Sequence, residues 1–372
     1  MQTADPMRLG VADGAGPSRA PEGKFQTMKV GTSRLAAALR MMLAGVFAVL
    51  PLPARRAADQ WVVYEGSDGP GKGKSIVLLA GDEEYRSEEG LPMLGKILSR
   101  RHGFKCTVLF SQDEDGTINP NNSSNVPGMH LLRSADLAIL QFRFRELPDE
   151  SMKHFVDYLQ SGKPLIAIRT ATHAFHYSKN KGSPYASYSW DSKDWPGGFG
   201  RQVLGDTWIN HHGVHGREST RGIIEPANAN HAVLRGVQEV WGPTDVYGIT
   251  HLRPDDTILL RGQTLSGMNP GDAPNDGKSL MPLVWTRDYT WDNGRTSRLL
   301  TSTIGAAVDL QSEGLRRMFV NACYWLTGLD VPERANVDYV GTYDPTFFGF
   351  NKFKKGVKVG DHVLEQQSPV RK

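Results

Sequence analysis

The amino-acid sequence predicts an α/β protein with a flavodoxin-like, doubly wound and mostly parallel sheet. Short, continuous apolar runs are typical of strands that are buried on both faces, and here they alternate with segments of helical period. The central run opens the stretch 164–173 and ends abruptly in Arg169, Thr170, Thr172 and His173. Open α/β sheets bind ligands at the carboxyl ends of their central strands, so this stretch predicts the position of the site.

The first half of the chain supplies four strands and two helices in alternation. The predicted strands are residues 74–80, 105–110, 136–141 and the start of 164–173, and the predicted helices are residues 89–101 and 148–160. The inward side chains are Leu91, Leu94, Ile97 and Leu98 in the first helix and Met152, Phe155, Val156 and Leu159 in the second. Right-handed crossovers then favour helices on both faces of a sheet with the strand order 2-1-3-4.

The second half is less regular. Residues 257–260, 280–285 and 294–305 predict three more strands, and residues 313–326 predict a closing helix with Gly328 as its C-cap. The inward stripe of that helix is Leu315, Met318, Phe319, Ala322 and Trp325 or Leu326. The predicted organisation is a leader at 1–58, one domain at 59–330, and a C-terminal arm at 331–372 that lies along the domain through its aromatic residues.

Composition and charge exclude some classes of function. The chain has 372 residues, of which 22% are charged, and a formal net charge of +3. It is long enough for a sizeable core, but it lacks the concentrated basic charge that nucleic-acid binding requires. The two cysteines, Cys106 and Cys323, have no metal-ligand spacing. We expect buried free thiols, with a disulfide as the alternative if the chain is exported.

Residues 28–58 have the layout of a secretory signal. Lys29 and Arg34 precede an apolar run that is strongest at 41–52, and small residues follow it. The run is shorter than the roughly 20 residues that span a membrane. We therefore predict export to the periplasm or the extracellular space, and an uncleaved membrane anchor is the alternative.

Three turns that follow strands supply candidate site residues. Glu84 and Tyr85 follow the first strand, Arg143 the third, and Arg169 and His173 the fourth. Because the carboxyl ends of parallel strands share one edge of a sheet, Glu84, Arg143 and His173 are predicted to converge there. Glu84 is a candidate general base, and Arg169 needs a partner, either a carboxylate such as Glu84 or a ligand anion. The turn 169–173 has no Ser, Cys or glycine frame, which disfavours a covalent nucleophile.

An aromatic insertion occupies residues 175–200. Trp190 and Trp195 lie in it among other aromatic and hydrogen-bonding residues. Such a mixture suits a wall that stacks on a sugar, because the faces of a sugar ring are apolar and its edges are polar. A loop that covers the sheet edge with its own aromatic cluster is an equal alternative.

Three histidines, His211, His212 and His215, lie within five positions. His211 and His215 have the spacing of a zinc-protease helix, but the general-base Glu is absent and neighbouring glycines disfavour a helix. His212 and His215 could still bind a divalent metal such as zinc, with His173 or a carboxylate completing the set. Alternatively, the histidines bind a polar substrate or transfer protons without a metal.

Several segments follow one another in a particular order along the chain. They are the acidic turn ending at Tyr85, Gly162-Lys-Pro-Leu-Ile-Ala-Ile before a turn with His173, His212-Gly-Val-His215, Asn230-His-Ala-Val-Leu-Arg-Gly before Asp245-Val-Tyr247, Pro282-Leu-Val-Trp-Thr-Arg before Gly294-Arg, Thr303-Ile-Gly305 and Asn321-Ala-Cys-Tyr-Trp-Leu-Thr-Gly. Taken together they resemble the ThuA-like family, which is named for trehalose utilisation and is related in fold to class I glutamine amidotransferases. The family's central turn usually reads Gly-x-His, and its closing strand usually has His where this chain has Ala306.

The resemblance implies a domain without the amidotransferase cysteine that acts on oxidised or keto-sugar derivatives. It implies His173, His212, His215, Asp245 and Tyr247 as site residues. The leading hypothesis is an exported carbohydrate-active hydrolase, lyase or isomerase, in which His173 and His212 transfer protons, Glu84 or Asp245 is their carboxylate partner, and Arg169 holds a substrate oxygen. A non-catalytic glycan-binding module and a metal-dependent hydrolase are the alternatives.

Overall fold

The structure is a computed structural model that describes residues 60–364. The predicted leader at 1–58 lies outside the described residues, as do residues 365–372. The strands are β1 Trp61–Tyr64, β2 Ser75–Gly81, β3 Lys105–Phe110, β4 Leu137–Phe142, β5 Leu165–Ile168, β6 Thr220–Ile224, β7 Val240–Gly242, β8 Thr257–Thr264, β9 Met281–Thr290 and β10 Thr296–Ser302. The α-helices of this region are α1 Ser87–His102, α2 Asp149–Gln160 and α3 Glu313–Leu326.

All these strands belong to one sheet, with the order β1-β3-β2-β4-β5-β10-β9-β8-β6-β7. β3, β2, β4, β5 and β10 run parallel to one another. The first four predicted strands correspond to β2, β3, β4 and β5, so their predicted order 2-1-3-4 is the order observed. The α/β class is confirmed.

The prediction of a mostly parallel sheet is wrong. Within residues 60–364, four neighbouring strand pairs are parallel and five are antiparallel. The reason lies in the connections of the second half. β9 and β10 are joined by a short turn at residues 291–295, and a turn of that length can only join antiparallel neighbours.

The helices pack on both faces of the sheet, and their predicted inward side chains are buried. Those of α1 and α3 lie in one hydrophobic core, and those of α2 lie in the other. α3 has the predicted boundaries, and Gly328 follows it with a φ of 73°, the left-handed conformation of a helix-ending glycine. Burial of these apolar faces, at about 25 cal/mol per Å², holds the helices against the sheet.

Cys106 on β3 and Cys323 on α3 are buried free thiols. The expectation of free thiols is confirmed, and the disulfide alternative is wrong. Burial raises the pKa of both thiols above the ordinary value, which keeps them protonated. Across residues 60–364, no helix is both long and apolar enough to cross a membrane.

The C-terminal arm, followed here over residues 331–364, lies along the domain. Phe348 and Val359 are buried in it. The hydroxyl of Tyr64 on β1 donates a hydrogen bond of 3.0 Å to the carbonyl of His362, and the imidazole of His362 stacks on the ring of Phe110. Through Phe348 the arm also reaches the candidate site.

Candidate functional site

The site is built around a sharp turn at the end of β5. The strand ends at Ile168, and Arg169 has a φ of 50°, the left-handed conformation that a bulky residue rarely adopts. This conformation costs about 1–2 kcal/mol. Residues Arg169–His173 then form one short, buried 3₁₀ turn. Such a costly backbone conformation persists only where the surroundings hold the side chain firmly.

The guanidinium of Arg169 is held by several partners. Its Nη1 donates to the carbonyls of Asp245 at 2.7 Å and Thr303 at 2.6 Å, and its Nη2 donates to Oδ1 of Asp245 at 3.0 Å. The rings of Tyr85 and Tyr247 lie 4.5 and 3.9 Å from the guanidinium carbon. The charge partner that this arginine needs is therefore Asp245, and Glu84 does not fill that place.

Three residues expected to bind substrate are inaccessible to it. Arg169, Tyr85 and Tyr247 are each at most 1% exposed. They pack on one another and on Asp245, so they position the carboxylate. Arg169, which was predicted to hold a substrate oxygen, donates to Asp245 and Thr303.

Asp245 orients two imidazoles. Its Oδ2 lies 2.6 Å from Nδ1 of His211, and its Oδ1 lies 2.9 Å from Nδ1 of His215. The two imidazole centroids are 4.9 Å apart. Burial alone would raise the pKa of Asp245, but Arg169 and the hydrogen bonds from both histidines hold it below the usual value. The carboxylate is therefore ionised and acts as a double acceptor.

Glu84 lies on the far side of His215. Its Oε1 is 3.4 Å from Nε2 of His215, and its Oε2 is 3.4 Å from Nε of Arg143. Burial and the neighbouring Asp82 raise the pKa of Glu84 above the ordinary value for a glutamate. The predicted convergence of Glu84 and Arg143 on this edge is observed, and it includes His215.

His173 lies beneath the same edge. Its Nδ1 is 3.1 Å from Oγ1 of Thr172, and its ring centroid lies 5.0 Å from that of Phe144 and 5.7 Å from that of Trp208. Burial, and secondly the charge of Arg143, hold the pKa of His173 well below the usual value for histidine. The ring is therefore neutral, and a base with so low a pKa is weak.

His212 does not join the cluster. Its Nε2 lies 2.9 Å from the carbonyl of Ser279, away from Asp245. His211 forms an isolated antiparallel bridge with Tyr247, so the backbone is extended there and adjacent side chains point to opposite sides. His211, and not His212 of the predicted metal pair, therefore shares Asp245 with His215.

The two tryptophans of the insertion lie in different places. The ring of Trp190 is 5.7 Å from Phe144 and 5.9 Å from Trp208, so it belongs to the surroundings of the site. The ring of Trp195 packs against Tyr188 at 5.1 Å and lines a separate groove. Of the two tryptophans predicted to stack on a sugar, only Trp190 therefore lies near the histidine cluster.

Sequence reasoning missed several residues of the site. Trp208 lies 5.5 Å from His211, and Phe348 of the arm lies 5.2 Å from His215. Phe350, which is 53% exposed, covers the guanidinium of Arg143 at 4.9 Å. The cluster of aromatics at residues 347–350 was a signal for this role, since exposed aromatic residues in a polar tail indicate a contact surface.

The imidazoles can also act as ligands of a divalent metal. One donor atom from each of His211, His215 and Asp245 lies within 4.8 Å of the others. Oδ2 and Oδ1 of Asp245 contact the Nδ1 atoms of His211 and His215, so an ion held by all three groups would take the place of these hydrogen bonds. Two histidines and a carboxylate are ligands that zinc accepts in proteins, so the donor set fits such a metal.

The fold and the site define a class of protein. It is a mixed α/β protein in which one buried carboxylate orients two histidines at the carboxyl edge of the parallel strands. No family model matches the chain, and no curated protein matches it.

Solved structures described as ThuA-like are similar to it. One, from Parabacteroides merdae ATCC 43184, has 16% identity over 70% of this chain and 92% of its own, with a TM-score of 0.47. Another, from Bacteroides uniformis ATCC 8492, has 14% identity over 71% and 95%, with a TM-score of 0.43. A third, described as the mmIFT52 N-terminal domain, has 14% identity over 70% and 100%, with a TM-score of 0.37. Two of these three structures carry the description ThuA-like, the name of the family that the sequence motifs resemble.

Proposed function

We propose that the protein is an exported carbohydrate-active enzyme that uses acid–base chemistry on a sugar or keto-sugar derivative. The observation that supports it is the pairing of two imidazoles on one buried carboxylate. Because Asp245 contacts Nδ1 of both His211 and His215, the Nε2 of each ring points away from that carboxylate, and the Nε2 of His215 lies 3.4 Å from Oε1 of Glu84. The two side chains are 33% and 35% exposed, so a substrate can reach them.

Two such rings can supply both halves of an acid–base reaction. Hydrolysis, elimination and isomerisation each need one proton removed and another delivered. A neutral imidazole that donates Nδ1–H to Asp245 has a lone pair on Nε2 and accepts a proton there. The corresponding imidazolium donates one, and the carboxylate stabilises its charge. With centroids 4.9 Å apart, His211 and His215 can serve neighbouring atoms of one substrate.

The surroundings suit a polar ring. Trp208 borders His211, Phe348 borders His215, and the guanidinium of Arg143 lies between the rings of Phe144 and Phe350. Aromatic faces stack on the apolar face of a sugar, and charged groups take its hydroxyl edges. This combination favours a carbohydrate over an apolar ligand.

Matched variants of the three neighbouring histidines test the proposal. The protein is assayed against a panel of glycosides and their keto derivatives, with products identified by mass spectrometry. His211→Gln and His215→Gln are each expected to lower turnover by about 10²–10⁴-fold, the usual contribution of an acid or base. His212→Gln is the control, because its side chain contacts Ser279 instead of Asp245, and it should stay within about twofold of wild type.

Three results would count against the proposal. Full turnover in either cluster variant would remove that histidine from the chemistry. An equal loss in the His212→Gln control would show that the loop as a whole matters, and not the Asp245 pair. Wild-type protein that converts no member of the panel would overturn the carbohydrate assignment itself.

A metal-dependent hydrolase is the second candidate, favoured by the close grouping of His211, His215 and Asp245. It predicts close to one zinc or similar ion per chain in protein purified without chelator. The ion should be lost in His211→Gln and kept in His212→Gln. Activity that persists in excess chelator, in protein without metal, would exclude this candidate.

We also infer that the parallel half of the sheet is flavodoxin-like and that the protein is exported. The order of β2 to β5 and the packing of helices on both faces support a flavodoxin-like, doubly wound arrangement for the parallel half. The basic and apolar pattern of residues 28–58 supports export. N-terminal sequencing of protein recovered from cell fractions tests this, since a cytoplasmic, uncleaved chain would contradict it.

A further inference from the structure

The aromatic groove that Trp195 lines lies apart from the histidines. Its lining includes Gln160, Tyr188, Trp195, Tyr289, Trp291 and Asp292, and its volume is about 370 Å³. These residues come from the end of α2, the aromatic insertion and the β9–β10 hairpin. The volume falls within the range of small-molecule sites.

The groove is at the opposite end of β10 from the candidate site. Thr296, where β10 begins, pairs with Thr290 beside the groove. β10 ends at Ser302, and the next carbonyl, that of Thr303, accepts a hydrogen bond from Arg169 in the histidine site. Seven strand residues separate the two places, a distance of roughly 20 Å at about 3.3 Å per residue. A ligand in the groove therefore does not contact His211 or His215.

The walls of the groove are held in place. The rings of Tyr188 and Trp195 lie 5.1 Å apart, and those of Tyr289 and Trp291 lie 4.7 Å apart. Nε1 of Trp291 donates a hydrogen bond of 3.0 Å to Oγ of Ser297. The hairpin turn is tied to α2, because Nδ2 of Asn293 donates to the carbonyl of Gln160 at 2.8 Å. Little ordering is required when a ligand binds.

Polar groups accompany the rings. Within residues 60–364, the hydroxyls of Tyr188 and Tyr289 make no hydrogen bond, although both side chains are partly buried. Asp292 and Asn293 are exposed at the rim. The groove therefore offers flat apolar faces together with two tyrosine hydroxyls and the carboxylate of Asp292, whose hydrogen-bonding capacity is available.

We propose that this groove is a carbohydrate-binding site separate from the histidine cluster, and that it takes one or two neutral hexose units. A pyranose presents C–H groups to an aromatic face and hydroxyls around its edge, which matches both sets of groups. Neutral sugars are favoured over acidic ones because the carboxylate of Asp292 repels anions. The site requires no catalysis, so it stands or falls independently of the proposed enzyme activity.

Titration calorimetry of the full chain with maltose, cellobiose and lactose tests this proposal. We expect at least one of them to bind with a Kd of about 1 mM. Trp195→Ala and Tyr289→Ala should each weaken binding at least tenfold, whereas Trp195→Phe should retain most of it. Trp325→Ala, in a partly exposed tryptophan packed on Arg298, is the matched control and should leave Kd unchanged.

Trp208→Ala separates the groove from the histidine site, because Trp208 contacts His173 and His211. Loss of sugar binding in Trp208→Ala, with binding kept in Trp195→Ala, would place the sugar at the histidines and overturn the proposal. Failure of wild type to bind any of the three sugars would also overturn it. Tyr289→Phe removes only one hydroxyl, so it tests the role of Tyr289 in a variant that is expected to fold. A Kd that is unchanged in both Tyr289→Phe and a folded Tyr289→Ala would contradict the proposal.

Discussion

The substitution Asp245→Asn tests whether one buried ion pair supports the whole site. Asp245 and Arg169 are both 0% exposed, and the carboxylate is the nearest opposite charge to the guanidinium, at 3.0 Å. Removing one partner of a buried pair typically costs 3–5 kcal/mol, because the other charge is left uncompensated. Arg169 keeps its bonds to the carbonyls of Asp245 and Thr303, so we expect the lower end of that range, about 3 kcal/mol.

Urea unfolding followed by circular dichroism measures this loss. The matched control is Asp288→Asn, which removes a pair with Arg298 in which both side chains are more than half exposed, and it should cost under about 1 kcal/mol. In the double variant Arg169→Met with Asp245→Asn, the unpaired charge is absent. Its loss should therefore be smaller than the sum of the two single losses. A cost for Asp245→Asn equal to that of the control would refute the role assigned to the pair.

Three further predictions concern stability. Gly305→Ala should lower the free energy of unfolding by more than about 2 kcal/mol, because the φ of Gly305 is 140° and a Cβ there would lie 2.4 Å from Cγ2 of Ile168. Gly271 has open space around it, so Gly271→Ala should leave the free energy of unfolding unchanged. Burial lowers the pKa of His362 to about 4, below the roughly 6.5 of an unfolded chain. This histidine's contribution to the free energy of unfolding should therefore be complete above about pH 6.5 and should fall by about 2–3 kcal/mol as the pH drops to 4. The free energy of unfolding should fall less steeply in His362→Gln, and an identical pH profile in that variant would contradict this prediction. Phe348→Ala should accelerate proteolysis of the arm after residue 330, because Phe348 packs on Tyr85 and His215. Phe347→Ala, at a residue 44% exposed, should not, and equal cleavage of both variants would argue against a docked arm.

The elements with strong periodicity were predictable from the sequence, and the short strands β1, β6 and β7 were not. β2 to β5 are continuous apolar runs buried on both faces, so their identity and order follow from the sequence. β6, with Arg221 and Gly222, is only half buried, and β7 has three residues, so neither has a readable pattern. β1 is a four-residue edge strand with alternating burial. Such strands are defined by their neighbours in the sheet more than by local sequence.

The location of the site was predictable from the sequence, but the full set of residues that form it was not. Residues at the ends of β2, β4 and β5 had to meet because parallel strands share an edge. Which of His211 and His212 faces that edge depends on one bridge between His211 and Tyr247, and a shift by one residue would exchange them. Nothing in the local sequence determines that register. The contribution of Phe348 depends on the path of an arm without regular secondary structure.

The turn after β5 explains why the chemistry is assigned to the imidazoles. In doubly wound hydrolases a sharp turn after a strand presents a nucleophile. Here the left-handed residue is Arg169, whose side chain is buried against Asp245. The hydroxyl of Thr170 donates to Asp82, and that of Thr172 lies against His173, with both threonines fully buried. The turn therefore has no accessible nucleophile, and its cation instead orients the carboxylate that positions the two histidines.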